Sequence, residues 1–500
     1  MGVCKIAHMS PYIRTVRTQS GATAVQIIYS RASGKRTMDH VGSVHTDHEL
    51  AVLMAQAQRI IDKDQYALDF GDQLIPRQTG TTTNPVPVTG QKAGYLLDAI
   101  DVIYSRIGLD AATDGDGVFK NLVTARIIHP GSKLDSIETL DEVGVTSASY
   151  RTITRALPVY ATPDFQAKLT AQLATHAQIG RGTFVLYDVT TLYFETDKVD
   201  ELRKPGFSKE RRLEPQITVG MLTDNAGFPL EVHAFEGNRA ETTTMIPMIE
   251  AFQKTYGLET ITIVADAGMF SASNKKAIVD AGLDYILGVK FKDVPYPVEQ
   301  WRKEHPEVDY SDGQIWTHHN RGDRGPYGTP IAVTHYQYSH DRARRSLKGI
   351  DEQVAKAEKA VAGKIAVKRN RYVDLRAPAK RVNYTLANKN RALAGIKGYE
   401  TSRVDLSAEE VIAAYRQLIK IEKSFRMSKS DLKARPIFHR KADSIAAHLA
   451  VVMAAMAVGH GLEQASGLSL KRVVRTLRKV SNLYVGGGWT SCACGHAGAC

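Results

Sequence analysis

The chain has 500 residues, of which 43% are hydrophobic and 24% charged, a composition ordinary for a soluble protein with two to four packed domains. Its net charge of +12 and isoelectric point near 9.3 favour a polyanionic partner such as nucleic acid over an acidic small substrate, although a basic surface alone fixes no function. The four cysteines, Cys4, Cys492, Cys494 and Cys500, lie outside the body of the chain, which excludes a disulfide-held fold.

Residues 1–72 predict a small β-rich module. The stretches YIRTVRT and AVQIIYSR are typical of strands, and a helix follows near residues 48–62. The start has no apolar stretch of signal-peptide length, so we expect a cytoplasmic protein. Residues 73–90 are rich in Thr, Pro and Gly and indicate a linker.

Residues 91–180 predict a helical region. KAGYLLDAIDVIYSRIG and DFQAKLTAQLATHA both have helical periodicity. A helix in SASYRTITRAL, capped by Ser147 or Ser149, would be the second helix of a helix-turn-helix, with Arg151 and Arg155 reaching DNA. An ordinary helical bundle explains the same pattern equally well.

Residues 181–290 predict an α/β unit with a mixed sheet. FVLYD is a strand ending at Asp188, and TITIVAD is a strand ending at Asp266. Between them, QITVGML and PLEVHAFEG flank the turn TDNAG and predict a hairpin. DYILGVK is the last strand of the unit.

Residues 291–405 interrupt this pattern with a mostly β insertion. We predict strands in VDYSDGQIWTHHN, TPIAVTHYQYS, AVKRNRYVDL and RVNYTLANK, and one helix in SLKGIDEQVAKAEKAVAG. Residues 340–403 contain 17 lysines and arginines against six aspartates and glutamates. A solvated surface normally mixes both signs, so this bias favours a surface that faces phosphates.

Residues 406–462 predict two helices that complete the α/β unit. In AAYRQLIKIEKSFRMSK, Tyr415, Glu422 and Lys429 are seven residues apart and would share one helix face with Arg426. Leu418, Ile419 and Phe425 would pack beside that face. An exposed ladder of ion pairs is the alternative interpretation of this helix.

The second of these helices contains the apolar run 445–458, which is too short to span a bilayer and includes His448. We therefore predict a buried core helix and no membrane partner. Residues 463–500 hold a basic helix, SLKRVVRTLRKV, and a Gly-rich tail. The spacing in CACGHAGAC differs from that of common zinc sites, so a frayed terminus is expected.

Three carboxylates carry the chemistry that this arrangement suggests. If the strands ending at Asp188 and Asp266 are neighbours, their carboxylates emerge side by side and repel each other unless a cation lies between them. Oxygen ligands select hard cations such as Mg²⁺ or Mn²⁺. Glu422, on a helix over the same sheet edge, would complete a site for one or two ions that cleaves a phosphodiester. The alternative is that each aspartate caps a turn.

These residues resemble a bacterial insertion-sequence transposase of the DDE type. The resemblance runs from about residue 182 to 458, with a looser match in KNLVTARIIHPGSK. YDVTTLYF and IVADAGMFS place the family's two catalytic aspartates at Asp188 and Asp266. YRQLIKIEKSFRMSK resembles its Tyr–Arg–Glu–Lys signature through Tyr415, Glu422 and Lys429, but a leucine occupies the arginine position.

The resemblance implies an RNase H-like mixed sheet with flanking helices, in two parts (181–290 and 406–462) separated by the insertion. It implies that Asp188, Asp266 and Glu422 bind two Mg²⁺ ions, which Mn²⁺ can replace. The enzyme would nick transposon ends, and the freed 3′-hydroxyls would attack target DNA. Terminal inverted repeats and target DNA are then the double-stranded partners, and a homodimer on paired ends is expected.

The resemblance also implies DNA contacts. Backbone contacts near the cleaved end would come from Tyr415, Arg416, Arg426 and Lys429. A tryptophan of the insertion, Trp301 or Trp316, would stack on a flipped base, or else belong to the core of the insertion. The terminal repeats would be read by Arg14, Arg17, Arg151 and Arg155.

Two other functions remain open. One is a DNA-binding descendant of a transposase that no longer cleaves, which the intact Asp–Asp–Glu set disfavours. The other is an RNase H-like nuclease without strand transfer, which the basic insertion and the long N-terminal part disfavour.

Overall fold

The computed structural model describes residues 11–18, 21–30, 36–63, 88–180, 182–195, 198–206, 214–240, 243–256, 261–268, 272–319, 332–366, 370–374, 380–485 and 492–495. The chain divides into two compact units, Met1–Val86 and Pro87–Cys500.

In the first unit, the described residues form a small antiparallel sheet and one helix. Its elements are β1 (Tyr12–Arg17), β2 (Thr23–Ser30), β3 (Arg36–Val44) and α1 (Asp47–Lys63), with strand order β1-β2-β3. Alternate residues of β2, Val25 and Ile27, are buried against Ala57 and Ile61 of α1, as expected for a sheet covered on one face. The predicted linker lies outside the described residues except for 88–90, which belong to a strand.

The second unit begins with that strand and a bundle of helices. They are β4 (Val88–Lys92), α2 (Gly94–Ile107), α3 (Leu109–Ala112), α4 (Gly117–Ile128), α5 (Lys133–Glu142), α6 (Tyr150–Tyr160) and α7 (Pro163–His176). Polar side chains fix the helix starts: Asp116 accepts from Val118 N and Phe119 N, and Ser149 accepts from Thr152 N. Ser149, rather than Ser147, is therefore the cap of α6.

The centre of the unit is an eight-stranded sheet. Its elements in chain order are β5 (Phe184–Tyr193), β6 (Gln216–Thr223), β7 (Pro229–Glu236), α8 (Met245–Tyr256), β8 (Thr262–Ala265), α9 (Ala272–Asp280), β9 (Asp284–Val289), α10 (Tyr296–Glu304), β10 (Ile315–His319), β11 (Val333–Tyr338), α11 (His340–Val361), β12 (Val373–Asp374), β13 (Arg381–Val382), α12 (Tyr384–Ala392) and β14 (Ile396–Thr401). The strand order is β10-β11-β14-β9-β8-β5-β6-β7, and β12 and β13 form a separate pair.

The sheet confirms the RNase H-like prediction. β5, β6 and β7 form an antiparallel meander, whereas β8 and β9 run parallel to β5 on its other side. The five strands therefore lie in the order 3-2-1-4-5. The predicted β6–β7 hairpin is present: Asp224 Oδ1 accepts from Ala226 N and Phe228 N, and Gly227 takes φ +89°.

The insertion differs from the prediction in two respects. Its strands β10, β11 and β14 extend the central sheet, which the sequence pattern did not indicate, because β14 pairs directly with β9. The described residues of the insertion also form three helices, and α11 alone has 22 residues. RVNYTLANK, predicted as a strand, is mostly α12, because the side chain of Asn383 accepts from Leu386 N and caps a helix there.

The last elements include the helices that pack on the sheet. They are α13 (Ala408–Arg416), α14 (Leu418–Arg426), a π-helix (Met427–Asp431), α15 (Ala442–Ser466), α16 (Leu470–Leu477), β15 (Val480–Val485) and β16 (Cys492–Gly495). β15 pairs with β4 and β16, so the described part of the predicted frayed tail forms strands.

Helix α15 lies at the centre of the core. It packs against α2, α4 and α6 on one side and β7 on another. With 25 residues, α15 is long and apolar enough to cross a membrane, judged by length and composition alone, and it is longer than the apolar run 445–458 that the sequence analysis considered. However, 83% of its most apolar window is buried inside the protein, which is the state of a core helix.

Candidate active site

Asp188 lies inside a strand and not at its end. We predicted that FVLYD ends at Asp188, but β5 continues to Tyr193 because VTTLY pairs with β6 through five further residues. The strand that ends at this point is β8, the parallel neighbour of β5, because the last residue pair between them is Tyr187 with Ala265. Asp188 is therefore the first residue of β5 with no β8 strand residue beside it.

Asp266 follows directly after Ala265, one register step beyond that last pair. Neighbouring strands are about 4.8 Å apart, so the two aspartates begin from adjacent positions on adjacent parallel strands. Asp188 is half-buried and Asp266 exposed. The prediction that the two strands lie side by side is confirmed.

Asp266 is held in an environment that favours its charged form. Tyr415 Oη donates a hydrogen bond to Asp266 Oδ1. Burial of the carboxylate would raise its pKa, but the Tyr415 hydroxyl, the Ala267 amide and the charges of Lys397 and Lys290 outweigh that effect and lower it. Burial and the same hydrogen bond raise the pKa of Tyr415, so its hydroxyl remains a donor.

Glu422 lies on a helix that packs over β5. Phe425, one turn later on α14, lines a small apolar cavity with Thr190 of β5 and Met221 of β6. Met221 is the register partner of Asp188, and Thr190 is two residues after it, so Asp188 emerges on the face that α14 covers. Glu422 is exposed on this covering helix.

The three carboxylates are not gathered into one tight cluster. Among the residues that the structure describes, no three His, Cys, Asp or Glu side chains lie close enough together to hold a metal ion. The adjacent aspartate pair nevertheless has the donor chemistry of a divalent-cation site, since carboxylate oxygens are the ligands of hard cations and two neighbouring carboxylates are stabilised by one. The residues fit a divalent metal, with Glu422 as the third carboxylate available on α14.

The helix carrying Glu422 is not continuous, contrary to our prediction. α13 ends at Arg416 and α14 begins at Leu418, and a π-helix replaces the α-helix from Met427. Tyr415 on α13 is only 4% exposed, whereas Glu422 on α14 is exposed. Ile419, predicted to pack, is 65% exposed.

The predicted DNA contacts occupy different environments. Arg426 is exposed at the end of α14, and Lys429 is half-buried in the π-helix. Arg416 donates to Gln337 Oε1 at 2.9 Å. Arg151 and Arg155 are exposed on α6. Their contacts with DNA, and that of Tyr415, stay predictions.

The tryptophans of the insertion lie in an aromatic cluster. Trp316 is 7% exposed and meets Trp301 edge-on at 6.0 Å and Tyr310 at 5.1 Å. Trp301 is half-buried and stacks on His305 at 4.7 Å. Trp316 is thus a core residue of the insertion in this structure, the alternative that the sequence left open, and its stacking on a base stays a prediction.

Lys397 is a residue of the site that sequence reasoning missed. It lies on β14, its ammonium is 4.3 Å from the centre of the Tyr415 ring, and its charge interacts with both Asp266 and Glu422. Burial lowers the pKa of Lys397, and the two carboxylates oppose that effect. No motif identifies this lysine. Only the pairing of β14 with β9 brings the far end of the insertion to the carboxylates.

The antiparallel meander β5-β6-β7 followed by the parallel strands β8 and β9 defines a protein of the RNase H-like fold class. A family model described as "Transposase DDE domain" matches residues 180–458, which is more than half of the chain. The chain belongs to this transposase family, and the resemblance seen in its sequence is confirmed.

Two solved transposase structures resemble the chain distantly. A piggyBac transposase synaptic complex with hairpin DNA is 10% identical, with 77% of this chain and 70% of that chain covered and a TM-score of 0.37. A pre-cleavage Mos1 transpososome is 12% identical, with 47% and 67% covered and a TM-score of 0.15. Likenesses this weak add nothing to the functional argument. A comparison with curated proteins finds no match.

Proposed function

We propose that this transposase cleaves DNA at the ends of an insertion sequence and joins the freed 3′-hydroxyls to target DNA. The observation that carries the proposal is the register of β5 and β8, which supports adjacent positions for Asp188 and Asp266, together with the packing of the Glu422 helix on β5. An aspartate pair of this kind is what a divalent-metal phosphodiester site requires.

Asp188, Asp266 and Glu422 would hold two Mg²⁺ ions, with Mn²⁺ as a substitute. When bound, such ions activate the attacking oxygen and stabilise the leaving oxygen of the phosphodiester. The chain's own residues prepare the site: the Tyr415 hydroxyl orients Asp266 and keeps it ionised.

The neighbouring cations would hold the DNA. Arg426 and Lys429 follow Glu422 within one to two turns and would contact phosphates beside the cleaved bond, which positions DNA without reading its sequence. Trp316 or Trp301 would stack on an extruded base, and Arg151 and Arg155 would approach the terminal repeats. The active form would be a homodimer on paired ends, in the bacterial cytoplasm.

A product assay tests this proposal against its two alternatives. The chain is incubated with Mg²⁺, DNA carrying the element's terminal repeats, and a target plasmid. Joined DNA supports the transposase, cut DNA without joining supports a nuclease, and bound but uncut DNA supports a silent DNA-binding descendant. The adjacent aspartates favour the first two over the third.

A further inference from the structure

A basic groove lies outside the candidate active site. It has a volume of about 590 Å³ and runs between the end of α4, the residues after the π-helix and helix α16. Leu470 and Val474 are buried and form part of its apolar floor. Its cationic lining residues are Lys433, Lys471, Arg475, Arg478 and Lys479.

The charge of this basic groove is largely unneutralised. Arg478 pairs with Glu142 at 2.6 Å. The other four cations are exposed, and within the described part of the chain no carboxylate lies within ion-pair distance of them. Asp431 is the acidic residue of the lining, and its charge interacts with Lys471. An exposed cluster of one sign, with positive charge in excess, attracts a polyanion.

The spacing of the cations suits a regular anionic chain. Lys471 and Arg475 are four residues apart on α16 and so lie on one helix face, about 6 Å apart along its axis. One strand of a DNA duplex presents a phosphate about every 3.4 Å along the axis, so two successive cations can each meet a phosphate.

The basic groove is joined rigidly to the helix of Glu422. Glu463 on α15 accepts a hydrogen bond from Leu470 N at the start of α16, and its other oxygen lies 3.3 Å from Lys423 Nζ on α14. The π-helix, which contains Lys429, leads directly from α14 to the groove. A duplex held near Glu422 and Lys429 can therefore extend along this connected segment toward the cations of α16.

We infer that the basic groove binds the phosphate backbone of double-stranded DNA that extends away from the cleavage site. This inference rests on the proposed function for its ligand, and it assigns to α16 a role in holding DNA that is separate from catalysis. The contacts are to phosphates, so they add affinity and not sequence preference.

The test uses the full chain and a duplex of arbitrary sequence, because phosphate contacts need no specific site. Affinity is measured by fluorescence anisotropy over a series of salt concentrations for the wild type and for Lys471→Ala/Arg475→Ala. Each lost phosphate contact reduces the slope of log affinity against log salt by about 0.9, so the double variant is expected to be shallower by about 1.8. The matched control Arg106→Ala/Lys276→Ala removes the same charge from exposed positions on α2 and α9 and should keep the wild-type slope.

A second measurement uses only the wild-type chain and so does not depend on the variants folding. Bound duplex should protect Lys471 from chemical acetylation, while Lys276, exposed at the surface, stays reactive. An unchanged slope in the double variant, or equal reactivity of Lys471 with and without DNA, overturns the inference. Cleavage assays distinguish a failure of this inference from a failure of the proposed function. If the wild type binds DNA with the expected salt slope but never cuts it, the proposed function is contradicted and the inference that the basic groove binds DNA still holds.

Discussion

The hydroxyl of Tyr415 donates a hydrogen bond to the carboxylate of Asp266, although the two residues are 149 positions apart in the chain. The bond joins the last turn of α13 to the loop after β8. The rest of the Tyr415 side chain is buried beside Tyr399, with ring centres 4.9 Å apart, and beneath the ammonium of Lys397. The orientation of Asp266 is therefore fixed by a residue that is itself fixed by packing.

We expect Tyr415→Phe to weaken divalent metal binding about 10- to 100-fold, because loss of a hydrogen bond to a ligating carboxylate has effects of this size. Titration of the DNA-free chain with Mn²⁺ measures it. Tyr384→Phe is the matched control, since it removes a hydroxyl that donates to Glu358 on an exposed surface. Equal Mn²⁺ affinity in wild type and Tyr415→Phe would refute the positioning role.

Gly288 on β9 leaves space that the Tyr415 hydroxyl requires. A Cβ at position 288 would lie 2.6 Å from Tyr415 Oη and 2.8 Å from Ala267 N. We expect Gly288→Ala to reduce the free energy of unfolding by about 1–3 kcal/mol. The double variant Gly288→Ala/Tyr415→Phe should lose less free energy of unfolding than the sum of the losses in the two single variants, because it has no Tyr415 hydroxyl for the new methyl group to displace.

Chemical denaturation provides these values, and Gly349→Ala provides the control. A Cβ at position 349 of α11 meets nothing within 4 Å, so that change should leave stability equal or slightly higher. Strict additivity of Gly288→Ala and Tyr415→Phe would show that the two positions are independent.

Glu400 on β14, whose side chain is 7% exposed, forms an ion pair with Lys275 of α9, whose side chain is 23% exposed. Its Oε1 lies 3.0 Å from Lys275 Nζ and accepts from Tyr285 Oη at 2.9 Å. We expect Glu400→Ala to reduce the free energy of unfolding by about 1–3 kcal/mol, because it removes the carboxylate that accepts from both Lys275 and Tyr285. Asp280→Ala, which breaks the exposed Lys276–Asp280 pair, should cost about 1 kcal/mol or less. Similar losses in the two variants would contradict this assignment.

Acid should destabilise the packing beneath α14 through His460. Burial lowers its pKa to about 4, Lys423 adds to that effect and Glu463 opposes it. In the unfolded chain a histidine takes up a proton near pH 6.5. The contribution of neutral His460 to the free energy of unfolding is therefore complete above pH 6.5 and is lost as the pH falls toward 4. The expected slope is about 1.4 kcal/mol per pH unit for this residue.

Urea unfolding of the wild type and His460→Gln from pH 7 to pH 4 checks this dependence. Glutamine can still meet Ser424 Oγ, which lies 3.0 Å from His460 Nε2, but cannot take up the proton. The stability of the variant should fall less steeply over this range. Parallel curves for the two proteins would exclude His460 as the source.

Local sequence patterns were sufficient for the parts of the site that depend on neighbouring strands. Short β-branched runs next to Asp188 and Asp266 and the turn TDNAG specify strands and a hairpin, and the meander leaves β5 beside β8. These features follow from alternation and turn chemistry, which are encoded within a few residues. The family motif then supplied the third carboxylate, Glu422.

Tertiary contacts decided the features that the sequence did not indicate. The break at Gln417 contains no proline or glycine, so periodicity predicted one continuous helix and placed Ile419 among the packed residues, although it is 65% exposed. Lys397 reaches the carboxylates only because β14 pairs with β9 across more than a hundred residues. Such long-range pairing has no local signature.

The most direct measurement of the central claim is cleavage of DNA carrying the element's own flanking repeats, with and without Mg²⁺, by the wild type and by Asp188→Asn. We expect Mg²⁺-dependent nicking by the wild type and none by the variant, which should still bind the DNA because phosphate contacts remain. Nicking that survives in Asp188→Asn, or that needs no divalent metal in the wild type, would contradict the assignment of this aspartate pair as the catalytic centre.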